Sequence, residues 1–338
     1  RARPDAVEHV RGRRLTLVGR RITHEGLETP IVLPAPTGRE AAAIATGRLA
    51  PADGPLGVAA GRAARYAATL RVGVALGAGG TRIFGHIGVL GALDAIGVPL
   101  DALTGTSAGG IVAALHGLGY HGQDAVDVIS RVGRGLRVRP TATAMLSAHA
   151  LRRHLIDVGG QTRFEDLEIP LALVACDILT GDQVVFTRGL LWSAALATMA
   201  IPAMLPPVRM GERLLVDGAM RQSVPVDAAR QIGADVVLAV PVGAAAPVSG
   251  VAEATEAVSG RVRMLKVARR SIDILQASMT LASAATADIV LEARFPTDGR
   301  FSVSRLAEGR RYLPIGEAAV HDAREALAAA LPWLAESR

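Results

Sequence analysis

The sequence holds a single cysteine, Cys176, so no disulfide framework can be read from it and a reducing compartment is expected. Cys176 sits in the strand-like run Leu171–Cys176, where a buried, inert thiol is expected rather than a nucleophile. Lysine is reduced to Lys266, although Lys and Arg together number 37, and so heavy a use of arginine reads first as compositional bias. Aromatic residues make up only 3% of the chain. No basic run is interleaved with them and no zinc spacing or helix-turn-helix pattern occurs, so nucleic acid is not an expected partner. No stretch reaches about 18 uninterrupted apolar residues, the length a membrane-crossing helix requires.

What the sequence does contain describes a folded α/β chain. Half of the residues are hydrophobic and 20% are charged, with abundant Ala and Gly suited to close helix–sheet packing. The 338 residues fit one large α/β domain without requiring a split. The formal charge of +6 is compatible with peripheral contact with anionic lipid. The chain opens at Arg1 rather than at a methionine, and a preceding part is expected, with room for a signal, an anchor or a regulatory domain.

Residues 1–65 are rich in Arg, Pro, Gly and Ala, with one strand-like run, Leu15–Val18, and read as the tail of a preceding region plus a linker. From residue 66 to 338 the pattern is that of one domain. Apolar runs predict strands at Val72–Leu76, Ala102–Gly105, Leu171–Cys176, Val184–Phe186, Leu214–Val216, Val236–Val240 and Ile289–Leu291. Between and after them, helices are predicted at Gly85–Ile96, Ile111–Leu118, 123–133, 148–157, Leu190–Met199, Val226–Ile232, Met264–Thr286 and Glu317–Leu331. This alternation implies a parallel or mixed sheet covered by helices on both faces.

Three strand-end turns carry the chemistry. Gly105-Thr106-Ser107-Ala108-Gly109 is a G-x-S-x-G segment between a strand and a helix, the context of a nucleophile elbow. The serine needs a sharp, strained turn to lift its hydroxyl off the sheet, and the flanking glycines let strand and helix approach. An ordinary capped turn is the competing reading of the pentapeptide taken alone. Upstream, Gly77-Ala78-Gly79-Gly80-Thr81-Arg82 also joins a strand to a helix, and its small residues can present consecutive amides to a developing negative charge. It fails the dinucleotide fingerprint at its third position, Arg82, and lacks the P-loop pattern. Asp217-Gly218-Ala219 closes a further predicted strand. Parallel strands deliver their C-terminal ends to one side, so Asp217 is expected on the same sheet edge as the other two turns, where it can take the serine proton directly. Among the histidines, only His321 follows Asp217 as an α/β-hydrolase triad would demand, and it lies on a polar helix face. His86, beside the Gly-rich turn, reads as a structural residue.

Taken together, these turns resemble patatin-like phospholipases, which carry G-G-G-x-[KR]-G, G-x-S-x-G and D-G-[GA] in this order on a three-layer α/β/α fold with a mainly parallel central sheet. The stretches Gly85-His86-Ile87-Gly88-Val89-Leu90, Ile201-Pro202 and Val224-Pro225-Val226-Asp227 resemble the bacterial relatives of neuropathy target esterase. The resemblance implies Ser107 as nucleophile, Asp217 as base and Gly79, Gly80 and Thr81 as oxyanion donors, with Ala78, Arg82, Gly105, Gly109 and Gly218 as motif neighbours. It implies a serine esterase acting on phospholipids or lysophospholipids through an acyl-enzyme, with no metal and no organic cofactor, in the cytoplasm or at the inner face of the membrane. Ala78 and Ile83 depart from the family pattern. A branched Ile83 can narrow the acyl entrance, and it motivates the other reading, a lipid-binding or regulatory module with little turnover.

Overall fold

The computed structural model describes residues 16–18, 21–23, 31–35, 37, 40–41, 54–135, 148–202, 204–242, 261–295, 306 and 309–335. The chain divides into two compact units, residues 1–72 with 234–236, and 73–233 with 237–338.

In the first unit, β1 (Thr16–Val18), β2 (Arg21–Thr23) and β3 (Ile31–Val32) form an antiparallel sheet in that order; Leu15 lies outside the described residues. Where the sequence suggested a linker, α1 (Pro55–Ala67) is a helix of 13 residues. Pro55 stands in its first turn, where the missing N–H costs nothing. No local side chain caps it; instead Glu40 Oε1 accepts from Leu56 N at 2.7 Å and Gly57 N at 3.3 Å, a carboxylate at the positive end of the helix. Its buried face is built from Gly57, Ala63 and Tyr66, too few large aliphatics to show a periodic signal. Arg71 Nε bonds Asp235 Oδ2 at 3.0 Å.

The second unit is built on an eight-stranded sheet: β4 (Val72–Leu76), β5 (Ala102–Thr106), β6 (Leu171–Asp177), β7 (Gln183–Phe186), β8 (Val208–Met210), β9 (Arg213–Asp217), β10 (Val236–Val240) and β11 (Ile289–Val290). Strand pairing runs β11-β10-β4-β5-β6-β9-β8, with β7 also on β6. Every residue of β4, β5 and β6 is buried, so both faces of the sheet are covered, as in a three-layer α/β/α arrangement. The covering helices include α2 (Ile83–Ala95), α3 (Ala108–Gly117), α4 (Gly122–Gly135), α5 (Ala148–Gly159), α6 (Leu191–Thr198), α7 (Val226–Gln231) and α8 (Arg261–Ala284). The closing helix expected over Glu317–Leu331 is instead three pieces, α9 (Leu313–Asp322), α10 (Arg324–Ala330) and α11 (Pro332–Ala335). Helix α9 packs on α2 at backbone distance, since a Cβ on Gly88 would lie 2.1 Å from Leu313 O.

The sheet is mostly parallel, with one reversal that matters for the site. β4, β5 and β6 pair parallel, whereas β9 pairs antiparallel with β6. β5 occupies β6 up to Thr106↔Val174, and β9 takes over at Ala175↔Asp217. β7 pairs with residues 173–176 of β6, overlapping both, so β5 and β9 must share the opposite edge of β6, end to end. The sequence reasoning that Asp217 closes a parallel strand is therefore corrected. Asp217 arrives from the opposite direction, and it meets Ser107 because β6 is long enough to pair with both strands in turn.

Candidate active site

Ser107 follows β5 at φ 54°, ψ −119°, a backbone conformation disfavoured for any residue with a Cβ. The neighbouring glycines explain how it is tolerated. A Cβ on Gly105 would lie 2.4 Å from Gly109 O, and one on Gly109 2.2 Å from Leu76 O, so the turn can pass from strand to helix only if both positions are bare. Thr198, at the end of α6, fixes the elbow from the far side. Its Oγ1 accepts from Ser107 N at 2.9 Å and donates to Val174 O. Two residues on, Ala200 O accepts from Asp217 N at 3.0 Å, so one short segment holds both residues of the pair.

Ser107 Oγ donates to Asp217 Oδ2 at 2.6 Å. The other carboxylate oxygen, Oδ1, accepts from Ala219 N at 2.8 Å. Gly218 makes this return possible, since a Cβ there would lie 2.3 Å from Val174 O. Ser107 and Asp217 are both buried. Burial pushes the Asp217 carboxyl up to about 6, against the opposing effect of its hydrogen bonds from Ser107 and Ala219. A carboxylate so placed is a stronger base than an exposed one.

The Gly-rich turn lies beside this pair. Ala78 N donates to Ser223 O at 2.9 Å and Arg82 N to Gly79 O at 3.1 Å, while Ile83 N closes on Gly80 O. Among the described residues, the amides between them, those of Gly79, Gly80 and Thr81, have no acceptor. Gly80 stands at φ 56° and opens a short 3₁₀ turn, which glycine adopts without strain. A Cβ on Gly79 would lie 2.2 Å from Val242 Cγ2. Arg82 bonds Val242 O at 3.1 Å and covers the Phe295 ring. Ile83 is buried in ordinary right-handed helical geometry, so the helix start absorbs this departure without strain.

Neither histidine singled out in the sequence joins the pair. His86 Nε2 meets Gly77 O at 2.8 Å; a carbonyl only accepts, so this nitrogen carries the proton. Burial pushes the ring down to about 4, which makes it a neutral prop under the Gly-rich turn. His321 is exposed, with Asp322 as its nearest carboxylate. Cys176 is buried, and burial raises its thiol further from ionisation. Sequence reasoning missed Thr198, whose only signal is a lone hydroxyl closing the apolar run Ala194–Ala197. It also left out Ala108, the first residue of α3, whose amide lies in the acceptor-free first turn of a helix.

A mutation separates positioning from mere packing at Thr198. Thr198→Val keeps the volume but leaves Ser107 N without its acceptor, a loss of about 1–3 kcal/mol for a buried amide. A lower Tm is expected together with a fall in kcat larger than any change in KM, and Thr198→Ser should restore both. Unchanged steady-state kinetics in the valine variant would remove the positioning role.

Ser107 thus stands on a strained strand-to-helix turn and bonds directly to a carboxylate, with no imidazole between them. The match to known proteins falls in the same place: residues 74–230 fit the family model of patatin-like phospholipases. An uncharacterised NTE family protein of Mycobacterium tuberculosis is 32% identical over 185 residues, 52% of this chain and 50% of the relative. A second from the same species is 33% identical over 171 residues, 49% and 29% respectively. The lysophospholipase NTE1 of Yarrowia lipolytica is 31% identical over 193 residues, 54% of this chain and 13% of that protein. The chain thus spans half the length of the first relative and less of the others.

Proposed function

We propose that this chain hydrolyses acyl esters of phospholipids or lysophospholipids through a Ser107–Asp217 dyad. The observation that carries the reading is the 2.6 Å bond between Ser107 Oγ and Asp217 Oδ2. Asp217 takes the hydroxyl proton as Oγ attacks the ester carbonyl. The oxyanion that forms faces the amides of Gly79, Gly80 and Thr81, with the N-terminus of α3 behind the serine adding its positive end. Collapse expels the alcohol, which takes the proton back from Asp217 and leaves the acyl group on Ser107. Water, deprotonated by the same carboxylate, then releases the fatty acid. The names of the relatives support a lipid ester as substrate, and the ordered motifs support the residue roles.

Labelling with a fluorophosphonate tests this directly, because phosphonylation requires an activated serine. Covalent modification at Ser107, abolished in Ser107→Ala and in Asp217→Asn, is expected. An unlabelled but folded protein would leave the lipid-binding module as the better reading.

A further inference from the structure

Helix α8 has an outer face that the fold does not use. Ala277, Thr280 and Ala284 are buried on its inner side, while Ile274, Leu275 and Leu281 are 49%, 64% and 57% exposed. The exposed helix positions 271, 274, 275, 278, 281 and 282 follow helical spacing, so Ile274, Leu275 and Leu281 lie on one side and are not scattered points. Large apolar side chains aligned this way mark a contact surface.

The inner side of the same helix is tied to the candidate active site. Ser223 Oγ donates to Thr280 Oγ1, whose own proton goes to Gln276 O, and Val224 N donates to Ser283 Oγ at 3.2 Å. Ser223 O in turn holds Ala78 N of the Gly-rich turn. The stripe therefore sits on an element that braces the oxyanion turn.

Charge decides what covers it. Residues 261–270 of α8 comprise four arginines and the chain's one lysine, with no acidic residue before Asp273. A second copy of the chain, paired through this helix, would add five more cations and one carboxylate and leave the charge unanswered. An anionic bilayer answers both features, taking the apolar stripe at the acyl boundary and the cations at its headgroups. No helix among the described residues is long and apolar enough to cross a membrane, so α8 is suited to lying on the surface.

We propose that α8 is the element by which this chain docks on anionic membranes, with Ile274, Leu275 and Leu281 entering the interface. This deepens the lipid-esterase reading by naming the surface at which substrate is met. The test is co-sedimentation of the full chain, as Ser107→Ala so that lipids stay intact, with phosphatidylglycerol–phosphatidylcholine vesicles and with phosphatidylcholine alone. Binding should favour the anionic vesicles, weaken with salt, and fall about tenfold or more on Leu275→Glu with Leu281→Glu. The serine pair Leu275→Ser with Leu281→Ser should weaken it less, and neither pair should shift Tm. In the Ser107 background, hydrolysis of a soluble short-chain ester should be unchanged by these substitutions. Undiminished vesicle binding in a folded glutamate variant overturns the proposal. So does a loss of binding on Leu179→Glu instead, which would move the contact to the turn after β6, or a dimer-to-monomer shift in the α8 variants with vesicle binding intact. Failure to hydrolyse any ester would count against the esterase reading alone, because the vesicle assay needs no turnover.

Discussion

Ser107→Ala and Asp217→Asn should each lower kcat by about a thousandfold or more, and the double variant should be scarcely worse than either. The non-additivity follows from the geometry. Asp217 has one task for which its 2.6 Å bond to Ser107 Oγ suits it, and without the nucleophile that task disappears. Asparagine is the informative replacement because the site can accommodate it. Its carbonyl oxygen can accept from Ala219 N as Oδ1 does now, and its amide can donate to Ser107 Oγ, which then accepts. Shape and hydrogen bonding survive while proton acceptance is lost. His321→Gln, on an exposed side chain, should be silent. His86→Gln should stay within about tenfold of the parent, since His86 braces Gly77 and supplies none of the ~10²–10⁴ expected of a general base. A folded histidine variant as inactive as Ser107→Ala would replace the dyad with a triad.

The motifs were legible because each is a backbone requirement written in glycine. Gly105 and Gly109 are bare where strand and helix cross, and Gly218 is bare where the chain turns back under Val174. The long buried strands were legible for a related reason, since β4, β5 and β6 are buried throughout, carry short apolar runs and are bounded by turns. Strand direction was not legible. Nothing local to Arg213–Asp217 distinguishes a strand entering from the far end of the sheet from one leaving it, and only the register of β6 with both partners shows how Asp217 reaches Ser107. β8 was missed because its three residues are half-buried or exposed and carry no run of apolar character. Helix α1 was missed because its buried face is mostly glycine and alanine and its cap, Glu40, comes from a distant part of the chain. Thr198 belongs to the same category, since its partners Ser107 and Val174 are far from it in sequence.

The pH dependence of the proposed hydrolysis should carry the signature of a carboxylate that burial has made basic. Asp217 is held at about 6 rather than its ordinary 3.8, with desolvation as the leading cause. As a base it must be ionised, so kcat/KM should climb tenfold per pH unit below about 6 and level off above it, with a slope of one proton. Stability should move the other way. Below about 3.8 the carboxyl is protonated in folded and unfolded chains alike, and it favours neither. Between about 3.8 and 6 the unfolded chain releases the proton while the folded one keeps it, so folding stability falls as pH rises and the loss is complete above about 6. A shift of this size corresponds to roughly 3 kcal/mol. Asp217→Asn, which has no charge to bury, should therefore have a higher Tm than the parent at pH 8 and nearly the same Tm at pH 4, while its activity is lost at both. The measurements are a pH–rate profile on a soluble ester and paired thermal melts. An ascending limb near pH 4, or a parent that outlasts Asp217→Asn at pH 8, would mean that Asp217 is solvated in the working protein and that the buried dyad does not describe it.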